Sequence, residues 1–199
     1  MDAEQPDYWY TGVHTFVFID HVPPDKNVRD VMKELRRRGP DPERGPVMFA
    51  SEFVGPYIAF AHLRTEEEEG RELANVQELI AGTLWDLGVH CNYASETQAA
   101  TTSSGKKGAK RGSPGIIGLV RISVRPKRFD AVWEDVIALL DDDPDHFRGA
   151  SEVQGDLDIL VQVSGETFDD AKAAAAQLRE IKGVADMDTA FADGSLYEE

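Results

Sequence analysis

Apolar residues along this chain recur in two rhythms, alternating and helical, and the rhythms come in the same order on both sides of a polar stretch. Residues 12–20 (GVHTFVFID) are rich in β-branched and aromatic side chains, the composition of a strand. Pro23, Pro24 and Asp25 then mark a helix start, and Val28, Val31, Met32 and Leu35 fall at helical spacing. Residues 39–46 hold three prolines and two glycines and predict a loop. Residues 47–53 and 57–63 read as strands around a turn at Gly55. Thr65 with Glu68 has the spacing of a capping box, and Leu73, Val76, Leu79, Ile80, Leu84 and Leu87 mark one helical face. Gly88 closes that helix, and residues 89–93 form a short strand.

The second half repeats the series. Residues 116–124 predict a strand, and Phe129, Val132, Trp133, Val136, Ile137 and Leu140 a helical stripe that stops at residues 141–144. Residues 147–153 and 157–163 are strands around Gly155. Thr167 with Asp170 resembles a cap for DAKAAAAQLREI, Gly183 ends the helix, and residues 184–191 supply a last strand.

Both halves therefore predict βαββαβ, and the hairpins SEFVGPYIAFAHL and SEVQGDLDILVQV lie one hundred positions apart. That order is the split βαβ, an α+β arrangement with both helices on one face of a four-stranded antiparallel sheet. The expected architecture is tandem ferredoxin-like βαββαβ repeats at residues 10–95 and 115–193, joined by a flexible linker at 96–114. Alternation puts Ile159, Val161 and Val163 under the helices and Asp158, Leu160 and Gln162 on the uncovered face. Phe16, Phe18, Ile58, Phe60 and His62 take the same face in the first half, so these residues with Leu160 are expected at an interface between sheets. Dimeric α/β-barrel packing, within one chain or between chains, satisfies that demand.

Composition narrows the functions. A net charge of −16 repels phosphate backbones, so direct nucleic-acid binding is not expected despite Lys106, Lys107, Lys110 and Arg111 in the linker. No membrane-length apolar run or signal peptide is evident, and a cytoplasmic protein is expected. Cys91 is the only cysteine, which removes intrachain disulfides and thiolate clusters.

Gly155 and Asp158 form a Gly-x-x-Asp hairpin before an apolar strand, and Ile181, Gly183 and Val184 form an I-x-G-V turn after a helix. Over residues 115–192 this pattern resembles the C-terminal effector domain of the Lrp/AsnC family. The resemblance implies a dimeric α/β barrel that binds small effectors such as amino acids. It also implies a homo-oligomer in transcription regulation, with another regulator of that family as a candidate partner. That family places a helix-turn-helix before the domain, and none is evident here. In the first half Ile58 replaces the aspartate.

The candidate effector site combines Gly155, Asp156, Asp158 and Gln162 with Arg121 and Ser123 across the sheet. A guanidinium holding a carboxylate while an aspartate receives an ammonium group suits a zwitterion. Solvent-facing turn aspartates are the plainer account of Asp156 and Asp158. His14, His21, His62, His90 and His146 lack metal-ligand spacing, and Asp141, Asp142, Asp143 and Asp145 lack the remainder of a calcium loop. Neither a metal nor a cofactor is expected. Trp9, Trp85 and Trp133 read as core or interface anchors, and Cys91 as a strand thiol. The expected function is a stand-alone sensing module without enzymatic activity. The alternatives are a small barrel enzyme, of monooxygenase or haem type, and a ligand-free assembly protein.

Overall fold

Strand alternation and helical spacing combine into an α+β chain in which every described strand joins one antiparallel sheet. The structure is a computed structural model and describes residues 13–38, 47–65, 82–101 and 115–193. The first half contains β1 (Val13–His21), α1 (Val28–Arg38), β2 (Val47–Glu52), β3 (Ala59–Thr65) and β4 (His90–Thr101), with residues 82–86 helical ahead of β4. The second contains β5 (Ile116–Val124), α2 (Phe129–Asp142), β6 (Phe147–Gly155), β7 (Ile159–Gly165), α3 (Phe168–Arg179) and β8 (Val184–Asp193). The helix face expected from Leu73 to Ile80, Trp9, and linker residues 102–114 lie outside the described residues.

Local chemistry sets the helix starts. Asn27 Oδ1 accepts the Asp30 amide at 2.9 Å, which moves the start of α1 past the prolines to Val28. Thr167 and Asp170 cap α3 reciprocally. The expected linker is corrected at its beginning. Residues 96–101 belong to β4 and pair with β6 up to Thr101 opposite Gly149. A sheet ladder bonds backbone to backbone, so a run of Thr, Gln and Ala pairs without apolar side chains.

The sheet has eight strands in the order β2-β3-β1-β4-β6-β7-β5-β8. Its two ends meet. Val54, just beyond β2, exchanges hydrogen bonds of 2.8 and 3.0 Å with Phe191 of β8. The outer face carries one core beneath α1 and residues 82–86, built on Val17, Ile19, Ala59, Ala61, Leu63 and Leu84. A second lies beneath α2 and α3, where Val132, Val136, Leu140, Ala174 and Leu178 meet Ile159, Val161 and Val163. The inner face carries a third cluster drawn from both halves: Phe16, Phe18, Phe53, Tyr57 and Phe60 pack with Leu119, Val153, Leu157 and Leu160. Each such buried side chain contributes on the order of 1.5–3 kcal/mol. The Tyr57 hydroxyl donates to the Leu119 carbonyl at 3.1 Å, satisfying the polar atom this packing buries. Of the other expected interface residues, His62 is half-buried and Ile58 is exposed. Among the tryptophans, Trp133 packs against the second core, whereas Trp85 is exposed and does not anchor one.

At two glycines the halves approach too closely for a side chain. A Cβ on Gly55 would lie 2.8 Å from Ala190 Cα, and one on Gly155 would lie 2.7 Å from the Tyr93 carbonyl oxygen. Their φ angles, +151° and +153°, are ones that side-chain-bearing residues rarely adopt. Gly55→Ala and Gly155→Ala are each expected to lower the unfolding free energy in urea by about 1–3 kcal/mol. Gly82→Ala, in an exposed helical position with nothing within 4 Å, is the control and should be neutral or stabilising by up to about 1 kcal/mol.

Candidate functional site

Four antiparallel steps separate β1 from β5 in the strand order, so the two run in the same direction and end at the same mouth of the closed sheet. Alternation along β1 places Asp20 on the inner face after Phe16 and Phe18, and along β5 it places Arg121 there after Leu119. Register brings partners to each. Phe18 lies opposite Phe60 and Asn92, and Arg121 opposite Leu160 and Asp188.

These polar residues form two linked groups. Arg121 Nε donates to Asp188 Oδ1 at 2.8 Å and Nη2 to Oδ2 at 2.5 Å. Its guanidinium carbon sits 5.0 Å from the ring centroids of both Phe18 and Tyr57, a cation–π arrangement. Burial opposes the charge on Arg121. The Asp188 hydrogen bonds and charge, helped by Tyr57 and Asp20, nonetheless hold its pKa above the ordinary arginine value. Asp20 Oδ2 accepts the Asn92 side-chain amide at 3.1 Å and lies 3.1 Å from His90 Nδ1. The imidazole of His90 is exposed at the rim.

Beside this mouth a cleft of about 480 Å³ is lined by Cys91, Asn92, Tyr93, Ser95, Gln154, Gly155 and Asp156. It sits where β4 continues past the last residue of β6, since the β4–β6 ladder begins at Ala94 opposite Gly155. Burial, with a contribution from the Asp20 charge, pushes the Cys91 thiol up to about 11. At neutral pH it is a protonated thiol, not a nucleophile.

The structure brings together only part of the expected effector site. Arg121 does hold a carboxylate in bidentate fashion, but it is the chain's own Asp188, its direct cross-strand neighbour. Asp158 accepts the Val124 amide at 2.6 Å and secures the hairpin against β5. Ser123 lies opposite Asp186, and Gln162 lies opposite Leu119, toward the other mouth. Gly155 and Asp156 line the cleft instead. The zwitterion clamp between Arg121 and Asp158 is therefore corrected. Asp20, His90, Asn92 and Asp188 were not singled out as a group, because only strand register makes them neighbours.

Neither the cleft nor the inner face offers a haem both a histidine ligand and room. His14 Nδ1 and His62 Nε2 lie 2.7 Å apart, which engages one nitrogen of each ring. Neither α2 nor α3 contains a histidine, the cleft lining has none, and the inner face is filled with aromatic and aliphatic side chains. Among the described residues no three His, Cys, Asp or Glu side chains group as a metal site, and no helix is long and apolar enough to cross a membrane.

Asp188→Asn leaves the Arg121 charge without its counter-ion, and an expected loss of about 1–2 kcal/mol in urea unfolding reflects the solvent that reaches Asp188. The double variant Arg121→Met, Asp188→Leu should recover most of it. Cys91 supplies a pH dependence. Its pKa is higher in the fold than the free-thiol value of 9.0, so the protonated thiol favours the folded state fully below about pH 9. That contribution is lost as pH rises to about 11, and Cys91→Ser should flatten stability measured across this window. Alkylation of the native protein by iodoacetamide should be slow at pH 8.

No family model matches the chain, and no curated protein matches it. Solved structures do match. An anthrone oxidase-like protein has a TM-score of 0.54 at 11% identity, over 92% of this chain and 94% of that one. Chlorite dismutase from Candidatus Nitrospira defluvii, in complex with imidazole, has a TM-score of 0.56 at 11% identity, over 95% of each chain. The siroheme decarboxylase NirDL has a TM-score of 0.58 at 8% identity, over 90% of this chain and 70% of that one. These neighbours are not Lrp/AsnC effector domains, and the resemblance drawn from Gly155, Asp158, Ile181, Gly183 and Val184 is corrected accordingly. The sensing role in transcription regulation and the expected lack of enzymatic activity, both inferred from it, fall with it. What the likeness establishes is an α+β, mostly antiparallel chain with the fold of the chlorite dismutase-like proteins.

Proposed function

We propose that the chain is a small barrel enzyme of the oxygenase kind, acting on an acidic carbon of an organic substrate at the mouth formed by Asp20, His90, Asn92, Arg121 and Asp188. Its architecture is two copies of a βαββαβ unit whose sheets face each other within one chain, as in a dimeric α/β barrel. The fold shared with an anthrone oxidase-like protein supports this reading. The observation that carries it is the Asp20–His90 contact of 3.1 Å at a mouth that also holds a guanidinium.

The chemistry follows from that pair. With the proton on Nδ1, His90 donates to Asp20, and Nε2 becomes the base. Nε2 takes a proton from a CH₂ group next to an electron-withdrawing ring, leaving a carbanion whose charge the ring shares. The positive charge of Arg121 favours that developing anion. The carbanion reduces molecular oxygen, and the peroxide anion on the new C–O bond takes the proton back from His90 Nε2. Loss of water from the hydroperoxide, with its remaining C–H proton, leaves a ketone. In sum, CH₂ and O₂ become C=O and H₂O, with the substrate as the reductant. Asn92 holds Asp20 in place for His90.

An oxygen electrode with anthrone as the first substrate tests the proposal. Uptake of one O₂ per ketone formed is expected, with His90→Gln lowering kcat on the order of 10²–10⁴-fold while the protein stays folded. Absence of uptake above the uncatalysed rate across a panel of such carbon acids, or an unchanged rate in His90→Gln, would overturn it.

A further inference from the structure

The cleft beside the mouth has a charge character of its own. Its lining offers amide, hydroxyl and backbone groups from Asn92, Ser95 and Gly155, a protonated thiol from Cys91, and one carboxylate, Asp156, at its exposed edge. Arg121 is not part of the lining, and its Nε and Nη2 donors are held by the Asp188 carboxylate. Asp20 adds a second negative charge behind β4, where it holds Asn92. No group among the lining residues is positively charged.

The backbone adds another feature. Cys91, Asn92 and Tyr93 pair with Ile19, Phe18 and Val17 of β1, but on their other side the ladder to β6 stops at Ala94. Along this short stretch β4 has a sheet partner on one side only, so peptide groups there border the cleft and can bond a guest. The opposite junction is a single bridge, where Val54 and Phe191 exchange two backbone hydrogen bonds. The β4–β6 junction is laced from Ala94 to Thr101 and lacks a β6 partner only over Cys91 to Tyr93.

From these features we infer that the cleft between β4 and β6 is a binding site for a small organic amine, with Asp156 as the counter-charge and the β4 edge from Cys91 to Tyr93 as the platform for its body. This rests on the proposed enzyme reading in one respect: Asn92 belongs to both mouth and cleft, so the amine is a substrate's recognition handle. An ammonium group finds a carboxylate there, whereas a carboxylate group meets Asp156, with Asp20 behind β4 and no cation in the lining.

Calorimetry on the full chain at pH 7 and low salt tests it with three matched probes: 2-phenylethylamine, 2-phenylethanol and phenylacetate. The amine is expected to bind at least ten-fold more tightly than the alcohol, with phenylacetate undetected. Asp156→Asn should bring the amine down to the alcohol's affinity, whereas Asp169→Asn, at an exposed site on α3, should change nothing. Equal binding of acid and amine, no binding by any probe at millimolar concentration, or an amine preference that survives Asp156→Asn each overturns the inference. Oxygen uptake on uncharged carbon acids without any amine preference would sink this assignment and leave the oxygenase reading standing. Amine binding without oxygen uptake would do the reverse.

Discussion

Closure of the sheet is the constraint on which the rest depends. An eight-stranded antiparallel sheet with both ends unpaired would expose the aromatic residues of its inner face to water. The contacts of Gly55 with Ala190 and of Gly155 with Tyr93 and Ala94 let the two halves approach closely enough to seal that face. Only a residue without a Cβ permits such backbone approach at these φ angles. Once sealed, the interior is crowded, and polar side chains survive at its end only with partners. Arg121 with Asp188, and Asp20 with Asn92, meet that requirement.

The described strands pair in the order β3-β1-β4 in one half and β7-β5-β8 in the other, with unmatched chemistry. Phe18 and Arg121 each stand opposite a polar residue on the following strand and an apolar one on the preceding hairpin, yet one is a ring and the other a cation. The guanidinium then lies on the ring, so the difference between the halves becomes a contact between them. The seams diverge likewise: one ends in a backbone bridge, the other in a polar recess. The sheet thereby presents an asymmetric mouth at the end where β1 and β5 finish.

The strand segments were legible in sequence because β-branched and aromatic residues alternate there, and α2 and α3 because Val132, Val136, Leu140, Ala174 and Leu178 fall on one face. The end of β4 was not, because residues 96–101 are polar and their pairing with β6 uses only backbone groups. The inner direction of Arg121 followed from alternation. Its partner did not, since Asp186 and Asp188 both precede the apolar end of β8 and only the register selects Asp188. The likeness to an effector domain arose for a related reason. A glycine where two backbones cross, and an aspartate that accepts the Val124 amide, are requirements of the hairpin's geometry and do not report a ligand.

The lone cysteine gains a different meaning in this setting. Thiols are oxidised through their thiolate form. Burial and the Asp20 charge keep Cys91 protonated while it borders a recess beside the mouth. A protein that passes oxygen and hydroperoxide through that mouth would expose any thiolate there to sulfenic acid formation on every cycle. In the proposed oxygenase, the same desolvation that makes Cys91 useless as a nucleophile would also slow its oxidation.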